Sequence, residues 1–374
     1  MPSTEATLRA VRGTYFALVV LLPLLAGCGT VGYYAQAVHG QCQILHRKQP
    51  IQDLLADPKT PPRLKERLKL VLSIRQFAED ELRLPANGHY RHYADLGRRF
   101  AVWSVYAAPE FSLDAKAWWY PVVGRLEYQG YFDESKALRF AAKLERKGFD
   151  VHVGGVEAYS TLGWFRDPVL NTFVFNGDTD LADLLFHELA HQRLFVGGDT
   201  DFNEAFATAV ADEGVERWLR ARGDLTELAR HREAVARRQL FLALVAGART
   251  RLEKLYASVE SAQSGARARD LPVGGTCACA EWRLEKASVF EQLRRDYAET
   301  KARWGGSTEY DGWFKQPLNN ALMNTVDTYY ALVPAFQRML AAQGGDLGKF
   351  YKEAAALGKL NKPERQRRLR ELTR

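Results

Sequence analysis

Residues 180–192 read Asp180-Leu-Ala-Asp-Leu-Leu-Phe-His187-Glu188-Leu-Ala-His191-Gln192, two histidines four apart with a glutamate directly after the first. Leu181, Leu185 and Leu189 recur at the four-residue spacing of one helical face, which predicts an amphipathic helix. Asp178, Thr179 or Asp180 is expected to cap its start, and Gly197-Gly198 to stop it. On that helix His187 and His191 lie one turn apart on one face and can close on a single metal ion. Glu188, about 100° further round, flanks the ion and faces a bound water instead of ligating. The alternative is a pair of solvated or core histidines; the capped helix and its apolar lead-in, Leu184-Leu185-Phe186, favour the metal.

A catalytic zinc takes three protein ligands and keeps one position open. Beyond Gly197-Gly198, Asp199-Thr200-Asp201 can cap a second helix, which Asn203-Glu204-Ala205-Phe206-Ala207 opens. His191 would lie about 9 Å before the end of the first helix and Glu204 about one turn into the second. A tight antiparallel hairpin then brings Glu204 beside the two histidines. The competing reading is a first-turn glutamate favoured by the helix dipole. Asp183, Asn203 and Asp212 are candidate partners for the ligand imidazoles, with no spacing that singles one out.

The rest of the chain sets the context. Its 374 residues can bury a substantial core, and 47% apolar with 26% charged residues marks a globular protein. The net charge of +7 is spread out, with its densest basic run at Lys362–Arg374. No basic cluster interleaves with aromatics, so no nucleic-acid partner is expected. At the N-terminus Arg9 and Arg12 precede the apolar run Tyr15–Leu25, which is too short for a comfortable membrane span. Cys42, Cys277 and Cys279 allow one disulfide, from Cys42 to one of the other two or between those two, or free thiols.

Read in order, residues 1–27 are expected to be a signal peptide and 28–98 a helical layer. Residues 99–222 hold the catalytic α/β part and 223–374 a helical part packed on the site. Strands are expected at Ala101–Ala107, within Trp118–Tyr128, at Asp150–Val153, Tyr159–Trp164 and Thr172–Phe175, and a helix at Asp133–Lys147. Long helices are expected at Phe202–Arg222, Leu225–Ser261, Ala280–Arg303 and Leu318–Leu340, with one more after them. The fold class is α+β, predominantly helical, with a small mixed sheet before the His-Glu-x-x-His helix.

Two resemblances add to this. Leu25-Ala26-Gly27-Cys28 resembles the lipobox of bacterial lipoproteins, which implies cleavage before Cys28 and acylation of that residue. Gly29 in place of aspartate implies, by the same resemblance, the periplasmic face of the outer membrane in a Gram-negative cell. An uncleaved anchor or a non-lipidated secreted form is the alternative. His187-Glu188-x-x-His191 with Asn203-Glu204-Ala205 resembles the gluzincin metallopeptidases, whose fold is zincin-like. Together with the lipobox, these motifs resemble a family of bacterial lipoproteins described as putative zinc aminopeptidases. That resemblance also takes in Tyr33-Tyr34, Tyr159–Trp164 and Asn319-Asn320.

The resemblance implies one Zn²⁺ held by His187, His191 and Glu204, with Glu188 as general base and then acid. It also implies an oxyanion donor of Tyr or His type, for which Tyr329 and Tyr330 are the candidates and His231 the runner-up. Tyr159–Gly163 could pair with an extended peptide, and Glu157, Asp167 or Glu213 could hold a substrate ammonium. The chain departs from the thermolysin-like pattern at Thr208, where those enzymes carry an aspartate, and in its shorter spacing from His191 to Glu204. It also lacks the Gly-x-Met-Glu-Asn stretch of the large aminopeptidases. The expected function is a zinc peptidase, an aminopeptidase first. An endopeptidase or amide hydrolase acting on envelope peptides, and a non-catalytic lipoprotein scaffold, are the alternatives.

Overall fold

Helix-forming runs fill most of this chain, and the short strands fall between residues 49 and 170. The computed structural model describes residues 28–85, 87–120, 124–158, 166–268, 276–330 and 332–372. Helix α1 (Cys28–Arg47) leads through β1 (Gln49–Pro50) to α2 (Ile51–Ala56) and α3 (Pro62–Asp80). Then come β2 (His92–Ala94), β3 (Val102–Pro109), β4 (Trp118–Tyr120), β5 (Gly124–Leu126), β6 (Tyr128–Tyr131), α4 (Glu134–Glu145), β7 (Phe149–Val156) and β8 (Val169–Leu170). The remainder is helical: α5 (Asp178–Arg193), α6 (Thr200–Ala221), α7 (Leu225–Ala268), α8 (Thr276–Arg303), α9 (Asp311–Phe314), α10 (Asn320–Tyr330), α11 (Val333–Ala342), α12 (Leu347–Gly358) and α13 (Lys362–Leu372). This is the expected α+β, mostly helical class.

The strands make three small sheets. β3 runs antiparallel between β6 and β7, with Ser104 opposite Gly130 on one side and Gly154 on the other. Helix α4 covers this sheet through Ala137, Ala141 and Leu144, packed on Trp103, Val105 and Tyr131. Its start is capped by Asp133, whose carboxylate accepts from the Lys136 N–H at 3.0 Å. β2 joins β1 antiparallel and β8 parallel, and β4 pairs with β5.

The main core surrounds the α5–α6 hairpin. Leu181, Leu185, Phe186 and Leu189 are fully buried on α5, as the four-residue spacing requires, against Leu68, Val71 and Ile74 of α3. Phe202 and Phe206 of α6 meet Phe336 of α11 and Phe350 of α12. Each such side chain contributes about 1.5–3 kcal/mol by leaving water. Gly214 of α6 permits the close approach, since a Cβ there would meet Leu82 and Phe186 at 2.8 Å. A second core joins α7, α8 and α9, where the Tyr297 and Phe314 rings stack at 3.9 Å.

Asn320, at the start of α10, clips the sheet to the helices. Its Nδ2 donates to the carbonyls of Pro109, Glu110 and Ser112, its N–H donates to Asp150, and its Oδ1 accepts from Tyr256.

Four expectations need correction. Thr172–Phe175 forms turns, not a strand: the Phe173 and Val174 N–H groups both donate back to Leu170 O, and both side chains point into the core. Leu318–Leu340 is two helices, because Pro334 lacks the N–H that a continuous helix would use. Two helices, α12 and α13, follow it, not one. Helix α5 ends at Arg193, before the glycine pair, and neither it nor α6 has a side-chain cap bond: Gly177 and Asp199 occupy the N-cap positions. Tyr159–Trp164 lies outside the described residues.

Candidate metal centre

His187 and His191 project from one face of α5 with their Nε2 atoms 3.2 Å apart. Glu204, one turn into α6, brings Oε2 to 3.1 Å from His187 Nε2 and Oε1 to 3.6 Å from His191 Nε2. The hairpin expected from the spacing therefore forms. Among the described residues this is the one group of three or more His, Cys, Asp or Glu with ligand atoms this close, all within 4.8 Å.

The loop between the helices is fixed from both sides. Asn203 Nδ2 donates to Val196 O at 2.8 Å and its Oδ1 accepts from the Val196 N–H at 2.7 Å. Asp199, 2% exposed, accepts from Arg365 of α13 at 2.7 and 2.8 Å. Asn203, weighed as a partner of the imidazoles, instead anchors the backbone beside Glu204.

The donor set can be tested against a tetrahedral zinc. Bonds of about 2.0–2.1 Å give ligand–ligand edges of about 3.3–3.4 Å. The His187–His191 nitrogens, 3.2 Å apart, and the His187 nitrogen to Glu204 Oε2, 3.1 Å, lie close to that value, while the other Glu204 oxygen, Oε1, faces His191 at 3.6 Å. Two imidazole nitrogens this close repel through their lone pairs unless a cation or proton lies between them. His191 Nδ1 and Glu188 Oε2 are buried with no hydrogen-bond partner in the protein, an uncommon state for polar atoms. The residues fit a bound metal with a polar ligand beside Glu188.

Electrostatics follows from the crowding. Burial works against charge on His187, but its hydrogen bond to Glu204 and the negative Glu204, Glu188 and Asp183 raise it to about 9. Burial pushes Glu204 up, yet the hydrogen bonds from His187 and His191 hold it down at about 2. Glu188 is raised by burial, with the two imidazoles opposing. Asp183, one turn before His187, is raised by burial and by Asp212.

The other expected site residues stand outside the donor group, though Asp167 is close enough to act on Glu188 and Asp212 and His231 on Asp183. Asp212 accepts from Arg238 at 2.5 Å and from Gln337 at 3.3 Å. Glu157 accepts from Asn176, Glu213 from Arg217, and Asp167 lies 3.5 Å from His89 Nδ1. His231 is buried with Nε2 unpartnered. Tyr329 and Tyr330 end α10, and their side chains lie outside the described ones, as do those of Cys28 and Cys277. Cys42 and Cys279 are both free thiols.

Two features near Glu188 and His191 were missed. Tyr90 is buried at φ +57°, a conformation rare for a non-glycine residue, and its N–H donates to Asp167 O at 2.8 Å. Arg75 Nε holds the preceding carbonyl, that of His89. Burial and the charge of Glu188 raise the Tyr90 hydroxyl well above its ordinary value, so the two side chains feel each other. Only the turn-forming Asn87-Gly88 hinted at this corner. The other is Phe195, whose ring centroid lies 6.4 Å from that of His191.

No curated protein matches the chain, and no solved structure does. One family model does, over residues 32–369, which spans the helix α5, the helix α6 and the whole centre just described. By that match the chain belongs to the family described as "Putative aminopeptidase".

Proposed function

We propose that the protein is a zinc-dependent peptidase of zincin type that removes residues from the amino terminus of peptides. The observation that carries this reading is the convergence of His187, His191 and Glu204 beside a buried, unpartnered Glu188 oxygen. His187, His191 and Glu204 would hold the zinc ion, which would supply Lewis acidity to a scissile carbonyl and to a bound water. Two imidazoles and a carboxylate also suit other divalent metals; the adjacent base argues for hydrolysis.

Glu188 does the proton work. Its carboxylate takes the proton from the attacking water and delivers it to the leaving amine, leaving a carboxylic acid and a free amine. Burial raises its proton affinity, which suits a group that must both accept and return a proton near neutral pH. Asn203 and Arg365 hold the α5–α6 loop so that Glu204 meets the histidines without reorganisation.

None of the helices described is long and apolar enough to cross a membrane, and Leu25-Ala26-Gly27-Cys28 carries the lipobox pattern. An acyl group on Cys28 would then hold the body at the periplasmic face of the outer membrane. Loss of labelled palmitate incorporation in Cys28→Ser tests it; incorporation unchanged by the substitution would overturn it.

The activity is tested with one peptide offered with a free and with an acetylated amino terminus, with and without a chelator. Cleavage of the free form alone, abolished by chelation and restored by zinc, is expected. Equal cleavage of both forms would make the protein an endopeptidase.

A further inference from the structure

We propose that Phe195 is the specificity wall of the metal centre, selecting peptides whose amino-terminal residue carries a large apolar side chain. The inference deepens the peptidase reading above and rests on it.

The first support is placement. After Arg193 the chain leaves the helix, and Leu194 is extended at φ −150°, ψ 124°. In extended backbone successive side chains point to opposite sides. Leu194 and Val196 both pack on the main core, their methyl groups close to Gly358. Phe195 between them turns the other way, to the His191 ring, which it meets edge-on at 75°.

The second support is exposure. Phe195 is 46% exposed, whereas the His191 side chain beside it is 7% exposed. An aromatic ring half in water next to a ligand imidazole gains by being covered, and a substrate's alkyl or aryl side chain covers it best. The charged groups described on this loop are already engaged: Arg193 lies over the Tyr351 ring, and Asp199 is buried against Arg365 with Lys362 beside it.

Rigidity is the third. The Leu194 N–H donates to Ala190 O at 3.1 Å and Val196 is held at both backbone groups by Asn203, so Phe195 lies between two pinned neighbours. A wall fixed before the substrate arrives spends little binding energy on ordering.

The test measures binding, not turnover. Zinc-loaded protein is titrated calorimetrically with leucine hydroxamate and with glycine hydroxamate, which share a zinc-binding group and differ in the side chain. Wild-type protein is expected to prefer the leucine compound by roughly 10-fold or more, the discrimination an apolar pocket supplies. Phe195→Ala should bring the ratio close to one with zinc content unchanged, and Phe195→Leu should keep part of the preference. The same ratio in wild type and Phe195→Ala, or a wild-type preference for glycine, would overturn the assignment of Phe195. Failure of the zinc-loaded wild type to bind either compound would overturn the metal reading, and this inference with it.

Discussion

Asn203 closes both backbone groups of Val196, donating to its carbonyl at 2.8 Å and accepting from its N–H at 2.7 Å. The next residue is Glu204, so this clip sets where the second ligand-bearing helix begins relative to the first. Asn203→Ala leaves the Val196 N–H without a protein partner and its carbonyl with only the longer bond from the Asp199 N–H, 3.3 Å. The expected cost is about 1–3 kcal/mol in folding free energy, with weaker zinc binding. Denaturant unfolding and a competitive chelator titration measure the two. Wild-type values in both would remove Asn203 from the support of the site.

The C-terminal helix reaches the same loop. Arg365 and Asp199 are 4% and 2% exposed, and they form a buried ion pair between α13 and the N-terminus of α6. Arg365→Ala leaves the buried Asp199 carboxylate without its hydrogen-bonded partner, with only the half-exposed Lys362 ammonium 3.6 Å from its other oxygen. Breaking such a pair costs about 3–5 kcal/mol, more than pairing it gains over an apolar substitute. Asp199→Asn should cost less than Arg365→Ala, since the amide oxygen can still accept from Arg365, whose guanidinium also donates to the Gly358 and Leu360 carbonyls. Thermal unfolding gives the order, and the reverse order would contradict this account.

His152 predicts a pH dependence far from the site. It lies opposite Tyr106 in the β3–β7 pair, the rings stacked 6.1 Å apart, and burial lowers its pKa from 6.5 to about 4. The unfolded chain therefore binds this proton first as the pH falls. Stability from the neutral ring is complete above pH 6.5 and is lost progressively towards about pH 4, below which both states are protonated. His152→Phe keeps the stack and removes that proton uptake. Urea midpoints at pH 7 and pH 4.5 should differ less in the variant than in wild type. An equal difference in both would show that His152 does not set this slope.

The sequence made the hairpin legible because its signals are local. Leu181, Leu185 and Leu189 mark a buried face, and the His187–His191 spacing needs only helix geometry. Glu204 followed from two helices and a glycine turn. What lay hidden depends on distant partners. The carboxylates of Glu157 and Glu213 were available by sequence alone, but Asn176 and Arg217 already hold them in the fold. Asn203 was read as a partner of imidazoles, because nothing local says that its amide meets Val196. Tyr90 joins Glu188 across nearly a hundred residues, through a strained turn that no periodicity announces. Thr172–Phe175 has strand composition, yet its carbonyl partner is Leu170, so a turn wins.

Glu188 and His191 sit three residues apart on α5 but should fail differently when replaced. His191 Nε2 is one of the three convergent donors, so His191→Ala removes an edge of the metal site and should lose zinc. Glu188 is outside that donor group, and its Oε2 is buried with no partner. Glu188→Gln preserves shape and size while removing the proton acceptor. It should keep stoichiometric zinc and lower kcat by about 10²–10⁴, the usual contribution of general acid–base catalysis. KM should change little, because the amide fills the same space. Elemental analysis and steady-state kinetics on both variants separate the roles. Full turnover in Glu188→Gln would remove it from the mechanism, and zinc loss in that variant would make it a ligand instead.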